Sequence, residues 1–154
     1  MSLALIFIRD QKESTRLRQI LQSGGYEPIE AEDDVMLRTL LAKKSPELVV
    51  AEIAAGESFF EDIFRVSPDI PVIGWMPGYE PRSAVRIMRA GVFDCISSPL
   101  EHQETLEVVA HTLEHYHRTP AKKKLSPVYY AALRFGRMFL YGLSIILLLK
   151  RSAA

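Results

Sequence analysis

The side chains able to do chemistry are few and scattered. His111 and His115 stand four apart, a spacing that puts both on one face of a helix, with Glu107, Glu114 and His117 nearby. Zinc sites take three or four protein ligands, each oriented by its own hydrogen-bonding neighbours, so two histidines on a polar face read as solvated side chains and no metal is expected. Cys95 is the single cysteine and has no internal disulfide partner. It falls in a short apolar run, where a thiol is ordinarily an inert small hydrophobe; redox sensing would need an exposed, acidified thiol. The sequence shows neither a glycine-rich phosphate loop, a Ser/His/Asp set nor a catalytic carboxylate pair. The expectation is a protein without enzymatic activity and without a cofactor.

Charge is distributed unevenly. The chain has 19 basic and 19 acidic side chains, but every acidic one precedes residue 120. The first 119 residues therefore hold 12 basic and 19 acidic groups, net −7, and the remainder carries seven basic groups and none that is acidic, net +7. An acidic body joined to a basic tail is not a uniform globule. The first ten residues, MSLALIFIRD, lack a basic start and reach Arg9 and Asp10 too soon for a signal peptide, so the body is expected in the cytoplasm.

The elements that must position these residues alternate. Residues 3–8, 27–31, 48–53, 70–75 and 92–96 are brief, rich in β-branched or aromatic side chains and bounded by polar or Gly/Pro breaks, the pattern of buried strands. Helical periodicity fills the gaps. Residues 11–23 place Leu17, Ile20 and Leu21 on one face and stop at Gly24-Gly25, while Asp33 or Asp34 caps a helix carrying Leu37, Leu40 and Leu41. Further helices are expected over 58–66, 81–90 and 100–118, the last with Leu106, Val109, Leu113 and Tyr116 toward the sheet. Strands separated by single helices imply right-handed crossovers and an α/β fold, a doubly wound five-stranded parallel sheet. Functional loops of such a sheet sit at the carboxyl ends of its strands.

Three stretches carry a family likeness: 47–53 (ELVVAEI), 70–76 (IPVIGWM) and 90–100 (AGVFDCISSPL). With them, residues 1–118 resemble the receiver domain of two-component response regulators, a flavodoxin-like fold. The resemblance implies a strand-end aspartate as phosphoacceptor, an acidic pair for Mg²⁺, a hydroxyl, and a lysine for the phosphoryl oxygens. The matching positions depart from that set. The phosphoacceptor becomes Glu52, the acidic pair becomes Arg9 and Asp10, the hydroxyl becomes Met76, the lysine before Pro99 becomes Ser98, and the aromatic of the fifth strand becomes Cys95. A degenerate pocket follows. Glu52 as a phosphoaspartate mimic would lack its lysine and hydroxyl partners; the expectation preferred is an Arg9–Glu52 ion pair across the Mg²⁺ position, with Asp10 capping the first helix.

Residues 119–127 are Pro-flanked and basic and read as a linker, followed by an apolar helix over 128–150 and a short tail at 151–154. Residues 138–149 (Met138, Phe139, Leu140, Tyr141, Gly142, Leu143, Ser144, Ile145, Ile146, Leu147, Leu148, Leu149) are 12 without a charge, about 18 Å as a helix. Starting at Val128 gives 22 residues and about 33 Å, enough for a roughly 30 Å hydrocarbon core, with Arg134 and Arg137 near one end. Lys122, Lys123 and Lys124 adjoin this segment, which favours anionic headgroups over nucleic acid as their partner. Their excess over Lys150 and Arg151 places the body on the cytoplasmic side of a transmembrane or membrane-associated helix. The sequence thus leads to a non-catalytic, membrane-anchored receiver-like subunit that braces a larger membrane complex, with lipids and other subunits as partners. Photosynthetic or respiratory complexes and secretion or motility machines are candidate hosts. The alternative is a phosphorylation-independent signalling adaptor binding a kinase or output protein through its fourth and fifth helices.

Overall fold

The structure, a computed structural model, describes residues 1–118, with side chains through Tyr116. Strands and helices alternate in the order β1 (Ser2–Phe7), α1 (Gln11–Ser23), β2 (Tyr26–Glu30), α2 (Asp34–Lys44), β3 (Leu48–Glu52), α3 (Glu57–Val66), β4 (Val72–Met76), α4 (Pro81–Arg89), β5 (Asp94–Ser97) and α5 (His102–Arg118). A single 3₁₀ turn, Ile53–Ala55, links β3 to α3. The five strands form one parallel sheet in the order β2-β1-β3-β4-β5.

Both sheet faces are buried, which is why the central strands read as continuous apolar runs. Leu5, Phe7, Val49, Ala51, Val72 and Met76 point to one face, where α2, α3 and α4 contribute Leu37, Leu41, Phe60, Ile63 and Ile87. The alternate residues Ala4, Ile6, Val50, Ile73 and Trp75 meet Leu17, Ile20 and Leu21 of α1 and Val109 of α5. The period of two along each strand thus sorts side chains into two cores, one on each face of the sheet.

Element ends follow local chemistry. Asp10 accepts the backbone N–H groups of Lys12 and Glu13 at 3.0 and 3.1 Å and starts α1; Asp33 accepts that of Met36 and starts α2. Helix α1 stops at Gly24, and Gly25 follows at φ +83°, a left-handed conformation glycine adopts without strain. Strand β4 begins at Val72, two residues later than the apolar run suggests, because Pro71 has no N–H to give the ladder. Pro28 is accommodated in β2 because that strand is an edge. Helix α5 begins at His102, not at residue 100; Leu100 lies in the preceding loop and is buried in the α1/α5 core.

Among the described residues no helix is long and apolar enough to cross a membrane. The linker 119–127, the apolar helix expected over 128–150 and the tail 151–154 lie outside the described residues, and with them Lys122, Lys123, Lys124, Arg134 and Arg137.

Candidate functional site

In a sheet of this order the strand sequence reverses between β1 and β3, and the crevice outside their carboxyl ends is where open α/β folds place ligands. Arg9 and Asp10 follow β1, Glu52 ends β3, Met76 ends β4 and Ser98 follows β5. Residues 43 positions apart are thereby brought together.

The crevice is closed by one residue pair. The Arg9 guanidinium donates through Nε to Glu52 Oε2 at 3.3 Å and through Nη2 to Oε1 at 3.1 Å. The Arg9 backbone N–H also donates to Oε2, at 3.0 Å. Both oxygens of Glu52 are therefore taken, one of them twice. The Glu52 side chain is 12% exposed and that of Arg9 65%, so the carboxylate sits in the crevice and the guanidinium covers it from solvent. A planar fork against a carboxylate is the arrangement for which arginine is better suited than lysine. The expected pair is thus present, with a backbone contact that the sequence reading did not contain.

The other positions make local structural contacts. Asp10 spends one carboxylate oxygen on the first turn of α1. Met76 is buried, and its Sδ accepts the Glu80 N–H at 3.4 Å, tying the end of β4 to the start of α4. The Ser98 N–H donates to the Met76 carbonyl at 2.9 Å, which holds the β5–α5 loop against β4. A Mg²⁺ ion does not fit this set: its first carboxylate is bound to a guanidinium, its second is capping a helix, and no group of three or more metal-ligating side chains occurs among the described residues.

Beside the crevice lies an open groove of about 430 Å³ with an apolar floor of Ile53, Ala54 and Met76 and a polar wall of Tyr79, Glu80, Ser83 and Arg86. Arg86 reaches across to Glu57 on α3, Nε to Oε1 at 3.1 Å.

His111 and His115 lie on the exposed side of α5 with ring centroids 4.2 Å apart. Glu107 is engaged by Gln103 at 2.9 Å. Cys95 is half-buried, and burial, with the Asp94 carboxylate beside it, pushes its thiol up to about 11, against a smaller lowering by a hydrogen bond to the Gly74 backbone. That is the opposite of an activated thiol. Sequence reasoning missed two threonines, Thr105 and Thr112, which α5 buries against the core. Their signal was positional only: they continue the helical stripe of Val109.

No family model matches the chain, and no curated protein does. Solved structures do. NtrX from Brucella abortus in complex with ATP superposes with a TM-score of 0.71 at 23% identity over 76% of this chain, which corresponds to 28% of NtrX. A response regulator from Thermotoga maritima gives 0.70 at 18% identity, covering 74% of this chain and 98% of its own. A CheY-like response regulator receiver domain protein from Methanospirillum hungatei JF-1 gives 0.68 at 19%, covering 77% and 98%. The body of the chain, with its β2-β1-β3-β4-β5 parallel sheet, has the fold of response-regulator receiver domains.

Proposed function

We propose that this protein is a non-catalytic receiver-like subunit whose body serves as a docking module and whose apolar tail holds it at a membrane, against the cytoplasmic face of a larger complex. The observation that carries the first half is the Arg9–Glu52 pair. It occupies the crevice with a positive group where Mg²⁺ would bind and engages both oxygens of the only carboxylate at the phosphoacceptor position. Phosphoryl transfer through a receiver pocket needs positioning and charge neutralisation, and this pocket supplies neither. The tail's composition supports the second half: 12 uncharged residues flanked by basic ones form a segment that water does not favour.

Two experiments test the two halves separately. Incubation with beryllofluoride and Mg²⁺ should leave intact mass and Trp75 fluorescence unchanged; a Mg²⁺-dependent adduct on Glu52 or Asp10 overturns the inert-pocket reading. The full chain should pellet with membranes, resist alkaline carbonate and need detergent for release, emerging with other subunits. Release by salt alone refutes the anchored-subunit reading and leaves the signalling adaptor, which the similarity of fold to response regulators favours.

A further inference from the structure

Helix α4 differs from the other four helices in carrying charge of one sign. Between Pro81 and Arg89 it holds Arg82, Arg86 and Arg89 and no acidic residue, in a body whose net charge is −7. Only Ile87 of α4 is fully buried. At about 100° per residue, Met88, Pro81 and Val85 follow one another around the solvent side and continue into Arg89, Arg82 and Arg86. The outer face is therefore half apolar and half cationic. Val85 is 50% and Met88 45% exposed, and Tyr79, just before the helix, is 80% exposed. Arg86 is engaged by Glu57, but Arg82 and Arg89 have no ion-pair partner among the described residues.

We infer that the outer face of α4 is a docking surface for an anionic lipid surface: Arg82 and Arg89 meet headgroup phosphates and Val85, Met88 and Tyr79 enter the boundary beneath them. The inference rests on the anchored reading above. Charge selects the occupant first. A second copy of the same face would set three guanidiniums against three. Shape selects next. The nearby groove is lined by Ser83 and Arg86, and Val85, Met88 and Arg89 stand outside it. A convex helix with an apolar and a basic flank suits a planar headgroup boundary. On the anchored reading, a membrane-held tail raises the effective concentration of the body beside the surface. A tethered contact can then be weak individually and still be occupied.

The test uses the full chain with Cys95→Ser and a polarity-sensitive fluorophore on Met88→Cys, or on Gln22→Cys of α1 as reference. It is reconstituted into vesicles of phosphatidylcholine alone or of equal parts phosphatidylcholine and phosphatidylglycerol. In the mixed vesicles the probe at 88 should shift to the blue and resist aqueous iodide, the probe at 22 should do neither, and pure phosphatidylcholine should protect neither. Each basic residue near an anionic surface strengthens association about fivefold, so Arg82→Gln with Arg89→Gln should weaken the protected state roughly 30-fold while flotation with the vesicles persists. Flotation with a probe at 88 that is quenched equally in both lipids overturns the docking surface and leaves the anchor standing. Failure to float overturns the anchor and this inference together. Equal protection at 88 in both kinds of vesicle shows a contact that does not depend on lipid charge and refutes the anionic lipid surface.

Discussion

The Arg9–Glu52 contact makes an asymmetric prediction. Arg9→Ala removes two side-chain hydrogen bonds but leaves the backbone N–H donating to Glu52 Oε2. The guanidinium is 65% exposed, so the Coulomb term is screened by water and the loss should be about 0.5–1 kcal/mol. Glu52→Ala removes the same two bonds and also the acceptor for the Arg9 N–H. A hydrogen bond to a charged acceptor contributes about 1.5–3 kcal/mol, the lower end applying at this solvent-accessible edge, so the second variant should cost about 2 kcal/mol. Glu52→Gln, which keeps an acceptor oxygen, should fall between. The double variant should show a coupling of about 0.5–1 kcal/mol. Trp75, the single tryptophan, is buried in the α1/α5 core and reports urea unfolding. In 1 M salt, where the Debye length is about 3 Å, the coupling should fade and the difference between the two single variants should remain. Equal costs for Arg9→Ala and Glu52→Ala refute the backbone contact; strict additivity at low salt refutes the pair.

Three further outcomes follow from single positions. Asp10→Ala should lower stability by about 1 kcal/mol, and Asp10→Asn by much less, because a capping role needs the oxygen and not the charge; chemical denaturation of both separates a cap from an ionic ligand. Gly74→Ala should cost about 1–3 kcal/mol in the same assay, since a Cβ there would stand 2.8 Å from Ile53 Cγ2 and 3.2 Å from Cys95 Sγ. Cys95 should alkylate slowly at pH 8, its rate rising about tenfold per pH unit until the thiol titrates near 11, whereas the unfolded chain levels off near 9. The linked effect on stability has a definite sign: the folded thiol holds its proton where the unfolded one has lost it, so stability should fall as pH rises from 9 to 11 and be insensitive to this group below 9.

The alternation of elements was legible because a parallel sheet covered on both faces writes itself as short apolar runs, and all five strands appear within two residues of the runs that announce them. Helix α1 was legible at both ends, Asp10 supplying the cap and Gly24-Gly25 the stop. Boundaries moved where a residue's backbone chemistry outweighed its hydrophobicity, as at Pro71, or where an apolar side chain was needed in a loop, as with Leu100. The contact of the Arg9 N–H with Glu52 could not be read, because it depends on the β1–β3 register and not on any residue type. Nor could the burial of Thr105 and Thr112, whose polarity hid their place in the stripe of α5.

These gains and misses share a cause. Pattern reports which face a side chain occupies; what it touches there is decided by topology. In this fold topology directs the ends of β1 and β3 at one crevice, so whatever residues stand at those ends must settle each other's charge. Two carboxylates would repel and call for a cation. One carboxylate and one guanidinium settle the charge between themselves, 3.1 Å apart across the crevice. On the surface, α4, cationic on one flank and apolar on the other, contrasts with the net acidic charge of the body.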